Sequence, residues 1–190
     1  DMESSVFSRC GIGVFLRSVG SPNVEHATIV GSSTAGLVAL GCGRGTVMNS
    51  ILAANNSNLI ADDVSAPSLW VNNNVMSGTT GPWGTVPVIA NPHEWHAASG
   101  SDPFSVHVTP SFVDPDRADL HIDPTVTWGG GLPGVAVGAK LGRERTLDRD
   151  GKPFRLQGQA MCVGAYEYPD PQPAAGWRMI ASLKEEKPRQ

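Results

Sequence analysis

The chain has 190 residues, 17% of them charged and 40% hydrophobic, a balance that excludes intrinsic disorder and fits one packed body with an appendage. Its formal net charge is −4 and Lys and Arg form no stripe, which argues against a nucleic-acid partner, because phosphate binding rests on clustered cations. No apolar run approaches the roughly 18 residues of a membrane-spanning helix, so no membrane span is expected.

From Val6 to Met76 one unit recurs. Val6-Phe7-Ser8, Ile29-Val30-Gly31, Ile51-Leu52-Ala53 and Val75-Met76-Ser77 start 23, 22 and 24 residues apart, and a second apolar run follows each of the first three. A period of this size marks stacked repeats. Short β-branched runs punctuated by Gly, Asn and Ser favour strands over helices. The reading is an all-β chain folded as a right-handed parallel β-helix, a solenoid, with coils over residues 1–78. The alignment stacks Ile29 on Ile51 and turns both inward with Leu37, Ala39 and Leu59. The Asn-rich stretches Asn55-Asn56 and Asn72-Asn73-Asn74 read as sharp corners, since Asn tolerates left-handed backbone angles and bonds back to its own chain. The chain starts almost inside its first repeat, and a stack cut there leaves strand edges and apolar side chains open. The expected partners are therefore missing N-terminal coils, another copy of the chain, or a larger assembly.

The period dissolves over residues 79–110, which read as a loop excursion from the stack, the kind of place where binding groups are usually carried. Here lie Trp83, His93, Trp95 and His96; Trp70 lies just before them and Trp128 after. Flat aromatic faces of this kind stack on sugar rings, and they equally well seal a core. His93 and His96 would share a helix face as a metal pair, but Pro92 and the neighbouring Gly and Ser argue for a loop, and no third ligand is evident. The carboxylates of Asp62, Asp63, Asp114, Asp116, Asp119 and Asp123 read as solvated turns or, for Asp114, Asp116 and Asp119, as weak Ca²⁺ ligands. Cys10, Cys42 and Cys162 contain no C-x-x-C pair and read as small buried hydrophobes, or as one disulfide with one thiol left over.

Residues 111–168 hold four ordered motifs: Phe112-Val113-Asp114-Pro115, Asp119-Leu120-His121-Ile122, Asp148-Arg149-Asp150-Gly151-Lys152-Pro153 and Val163-Gly164-Ala165-Tyr166-Glu167-Tyr168. Together they resemble the C-terminal signature of bacterial right-handed parallel β-helix proteins, the pectate-lyase-like surface and secreted family. Two positions depart from that signature: the segment Leu132 to Gly138, and Cys162 where the family carries Asp. The resemblance implies an irregular C-terminal cap, an extracytoplasmic location, secreted or at the cell surface, and a non-catalytic structural or adhesive module that holds polysaccharide or protein. The alternative it implies is a polysaccharide lyase or glycoside hydrolase, with Ca²⁺ as the one cofactor to consider. Residues 169–190 read as a Pro-rich linker and a short tail.

Overall fold

The structure, a computed structural model, describes residues 1–90, 92–100, 102, 104–123, 147–152, 156–157, 160–161 and 163–166, without the side chains of residues 92, 93, 156, 157, 160 and 161. Cys162, Trp128, residues 132–138 and the tail from residue 169 lie outside the described residues.

Three sheets of parallel strands are wound as a β-solenoid of about three turns. The first coil is β1 (Met2–Glu3), β2 (Val6–Ser8) and β3 (Ile12–Arg17); the second is β4 (Asn23–Glu25), β5 (Thr28–Val30) and β6 (Ala35–Leu40). The third is β7 (Gly45–Met48), β8 (Ile51–Ala53) and β9 (Leu59–Ala61), after which β10 (Leu69–Asn72) and β11 (Val75–Met76) begin a fourth. Sheet I holds β1, β4, β7 and β10, and sheet III holds β3, β6 and β9. Sheet II holds β2, β5, β8 and β11 and is extended by β12 (Val106–His107). Between β11 and β12 the chain makes a bridge from Trp83 to Ala61, which prolongs sheet III, and then an α-helix, α1 (Pro92–Ser99). A hairpin of β13 (Phe112–Asp114) and β14 (Asp119–Ile122) follows, and a short antiparallel pair of β15 (Leu156–Gln157) and β16 (Ala160–Met161) completes the described elements.

The corners explain why the coils superpose. After the strand of sheet I each coil places one residue in the left-handed region, Ser4, His26, Asn49 and Asn73, with φ of 46°, 50°, 52° and 55°. One such residue turns the chain sharply, at a cost that the stacked neighbours must offset. Buried Asn side chains then satisfy the turned backbone. Asn74 Oδ1 accepts from the Ser50 N–H and its amide donates to the Val47 carbonyl, both at 2.9 Å. Asn55 does the same one corner further on, accepting from the Ser32 N–H at 2.9 Å and donating to the Ile29 carbonyl at 3.0 Å. Asn55 and Asn74 thus serve the backbone of the preceding coil, while Asn72 accepts from the N–H groups of Asn73 and Phe104.

The register corrects one expectation. Leu37 does pair with Leu59, but Ile51 pairs with Thr28, and Ile29 pairs with Leu52. A shift of one residue moves a side chain to the other face of a strand. The interior stack of sheet II is therefore Phe7, Ile29, Leu52 and Met76, which belong to the main core with Leu37, Ala39, Leu59 and Val71. Ile51 points the other way. It is buried with Val30, Ala53 and Val75 in a second core on the outside of sheet II, under Leu120 and Val163, with Phe112, Ile122 and Tyr166 packed around them. The cap expected of the C-terminal motifs thus lies, where it is described, along a side of the solenoid. Gly164 shows how closely it fits: its φ is +86°, and a Cβ there would meet Thr28 Oγ1 and Ile51 Cδ1 at 2.8 and 2.7 Å.

Candidate functional site

The aromatic residues singled out in the sequence separate into two groups. Trp83 and Trp95 are buried and meet edge to face, with ring centroids 4.9 Å apart and planes at 74°. The Trp95 indole N–H donates to the Asp102 carboxylate, whose other oxygen accepts from the Ser105 N–H at 3.1 Å. Burial raises the Asp102 pKa against those hydrogen bonds. These rings are core, and they close the end of the stack beyond β10 and β11.

Helix α1 carries Trp95, and it corrects the expectation of a loop around Pro92. Proline lacks only an N–H that the first turn of a helix leaves unused, so it opens α1 where it would break a later turn. His93 lies in this helix, with its side chain outside those described. His96 instead faces His107 of β12, the ring centroids 6.2 Å apart. Burial, helped by the charge of His96, pushes the His107 pKa down to about 4.

Trp70 alone of the three described Trp candidates meets solvent, at 51% exposure. It stands on the outer face of sheet I in one row with Thr46 and Asn23. The Thr46 hydroxyl lies 2.9 Å from Asn23 Oδ1 and 3.0 Å from Glu25 Oε1, and the Asn23 amide donates to Asp1 at 2.7 Å. An exposed indole beside a row of ordered hydroxyl, amide and carboxylate groups has the composition of a sugar-contacting surface.

Each of the three carboxylates considered for Ca²⁺ has a partner within the protein. Asp114 caps the turn that follows it, accepting from the Arg117 N–H at 3.2 Å, and Asp116 pairs with Arg9 at 2.6 Å. Asp119 is engaged with His121 at 2.5 Å. Among the described residues no group of three His, Cys, Asp or Glu side chains is placed to hold a metal ion. Asp62 holds a corner, accepting from the N–H groups of Ser65 and Gly41, and a hydrogen bond from the Ser65 side chain leads in lowering its pKa. Cys10 and Cys42 are free thiols, the second buried.

Two further features bear on function, and the first of them escaped the sequence reading. The first is the cluster around His121, whose ring nitrogens face Asp119 Oδ1 and Asp150 Oδ2 at 2.5 and 2.9 Å, with Tyr166 stacked at 4.0 Å between centroids. The signal for half of it was present, because residues two apart on a strand share a face, as Asp119 and His121 do. The second is the state of the first coil. Met2, Phe7 and Leu16 are inward members of the core yet only partly buried, whereas their partners in the next coil, Val24, Ile29 and Ala39, are 1%, 0% and 0% exposed.

No family model, no curated protein and no solved structure matches this chain.

Proposed function

We propose that this chain is a non-catalytic structural module that works within a larger assembly by accepting a further coil on the face formed by β1, β2 and β3. The observation that supports this reading is the contrast between Met2, Phe7 and Leu16 and their buried partners in the second coil. A solenoid buries the inside of each coil against its neighbours. Strand edges with an apolar interior left open are templates for pairing. The likeness of the C-terminal motifs to secreted bacterial β-helix proteins adds the location: outside the cytoplasm, in or on a surface assembly.

Light scattering of the purified chain tests the reading. The wild type is expected to associate as concentration rises, and a Phe7→Glu, Leu16→Glu double variant is expected to stay monomeric with an unchanged β-sheet circular dichroism spectrum. A wild type that remains monomeric throughout would falsify it.

The exposure of Trp70 favours a second reading, in which the outer face of sheet I holds glycan. Loss of Trp70 should then cost about 2 kcal/mol of binding or more, as for other aromatic anchors. A glycan array probed with wild type and Trp70→Ala decides it: equal signals from the two, or a blank array, dispose of this site.

A further inference from the structure

Among the described residues, the cover on the outside of sheet II makes these backbone N–H hydrogen bonds to the coils it covers. Gly164 N–H donates to the Asn49 carbonyl at 2.7 Å, and Ala165 N–H donates to Thr28 Oγ1 at 3.0 Å. Arg9 of the first coil reaches the hairpin at Asp116 and at the Pro115 carbonyl, at 2.6 and 3.2 Å, and the Ser4 hydroxyl donates to the Leu147 carbonyl at 3.5 Å. Beside these, Leu120, Val163, Phe112, Ile122 and Tyr166 make apolar contact with Val30, Ile51, Ala53 and Val75. Among the described residues, three separate stretches make up this cover: the β13–β14 hairpin, the turn at residues 148–152, and residues 163–166. One side chain touches all three.

That side chain is His121. From its own strand Asp119 reaches Nδ1 at 2.5 Å, and from the turn Asp150 reaches Nε2 at 2.9 Å. The Tyr166 ring lies over the imidazole at 4.0 Å, tilted by 32°. The turn is itself built to present Asp150: Asp148 Oδ1 accepts from the Asp150 and Lys152 N–H groups at 2.9 and 2.7 Å. The turn also joins the third stretch, because the Arg149 N–H donates to the Ala165 carbonyl at 2.9 Å. Lys152 Nζ stands 3.5 Å from the same oxygen of Asp150 that His121 meets, and the Arg149 charge acts on Tyr166. Asp119, Asp150, Lys152, Arg149 and Tyr166 are the titratable and charged groups facing the imidazole among the described residues.

The geometry sets a condition on the proton. A neutral imidazole has one N–H and one lone pair, so it can donate to only one carboxylate and turns its lone pair toward the other. Only the imidazolium donates at both nitrogens. We propose that His121 is the pin of a pH-dependent latch: protonated, it ties the hairpin, the turn and residues 163–166 together over sheet II, and deprotonated, it lets go of one carboxylate and loosens the cover.

The electrostatics point the same way. Burial by itself would lower the His121 pKa, but the hydrogen bonds and charges of Asp119 and Asp150 outweigh it and raise the pKa above the ordinary 6.5. The bond to His121 is the leading cause that lowers the pKa of both Asp119 and Asp150. A histidine whose folded pKa is raised contributes stability that is complete below 6.5 and is lost as pH rises through the folded value. The two carboxylates, lowered below 3.8, contribute stability that is lost as pH falls through their own range. The latch is therefore closed between the ordinary carboxylate range and 6.5, and it opens as pH rises through the raised value of His121.

Two readings on the wild-type chain test this. Proton NMR of the histidine rings should show one imidazole titrating above pH 6.5, assigned by its absence in His121→Gln. Amide exchange at residues 163–166, taken relative to Leu37 and Leu59 in the solenoid body, should speed up as pH rises from about 6 to about 9, across the range in which the raised imidazole loses its proton. In Asp150→Asn the ring midpoint should fall, and the alkaline change in exchange should shrink. The proposal is overturned by a His121 midpoint at or below 6.5, or by relative exchange at 163–166 that does not change with pH. Should either variant fail to fold, the wild-type exchange profile decides alone.

Discussion

The two ends of the coil stack are built from the same kind of strand and differ in what lies next to them. At one end Met2, Phe7 and Leu16 remain partly exposed. At the other, Val71, Met76 and Trp83 are 0%, 0% and 3% exposed, and Trp95 from helix α1 joins them in one cluster with Ala98 alongside. The comparison teaches that burial in a solenoid belongs to the neighbour as much as to the residue. An inward apolar side chain is core only when something is stacked on it, whether another coil or a helix with a tryptophan.

The comparison can be broken most severely at the covered end. Trp95→Ala removes the largest fully buried side chain and should cost about 3 to 5 kcal/mol in a denaturant melt, as large aromatic truncations in cores do. Leu37→Ala, in the middle of the stack, should cost about 2 to 5 kcal/mol by the same measure. Asp102→Ala should cost about 1 to 3 kcal/mol, because the buried Trp95 N–H would lose its acceptor. Phe7→Ala, at the open end, should cost about 1 kcal/mol, since a partly exposed ring gains only part of the transfer free energy of a buried one. A Phe7→Ala cost equal to that of Leu37→Ala in the monomer would mean that the first coil is covered after all.

Acid should loosen the covered end, as a rise in pH loosens the latch. The His107 pKa is lowered to about 4, so the folded state favours its neutral ring, and stability falls as pH drops below the ordinary 6.5 toward that value. Replacing His107 with Gln should flatten the melt profile between those limits. An unchanged profile would show that His107 is not the group responsible.

The period was legible because stacking repeats a demand every coil. The register was not. In β8 the run Ile51-Leu52-Ala53 is buried on both faces, so no polar and apolar alternation tells inside from outside. The second core that buries Ile51 comes from residues more than sixty positions later in the chain, Leu120 and Val163, and nothing in the local pattern around Ile51 announces them. Helix α1 was hidden by a proline whose meaning depends on its position in a helix. Of the candidate site residues, the Trp set was visible as a composition, but only the packing separates exposed Trp70 from Trp83 and Trp95, which meet in the core. The His121 cluster draws on three stretches, and the sequence displays only the Asp119 and His121 half of it.

The claim that the first coil is an open stacking face can be tested most directly by amide hydrogen exchange, resolved by residue, over a range of protein concentrations. Amides of β1, β2 and β3 should exchange fast in dilute solution and gain protection as concentration rises, while those of β4, β5 and β6 stay equally protected throughout. First-coil amides that are as protected as those of the second coil in the most dilute sample, or that never respond to concentration, would contradict the account.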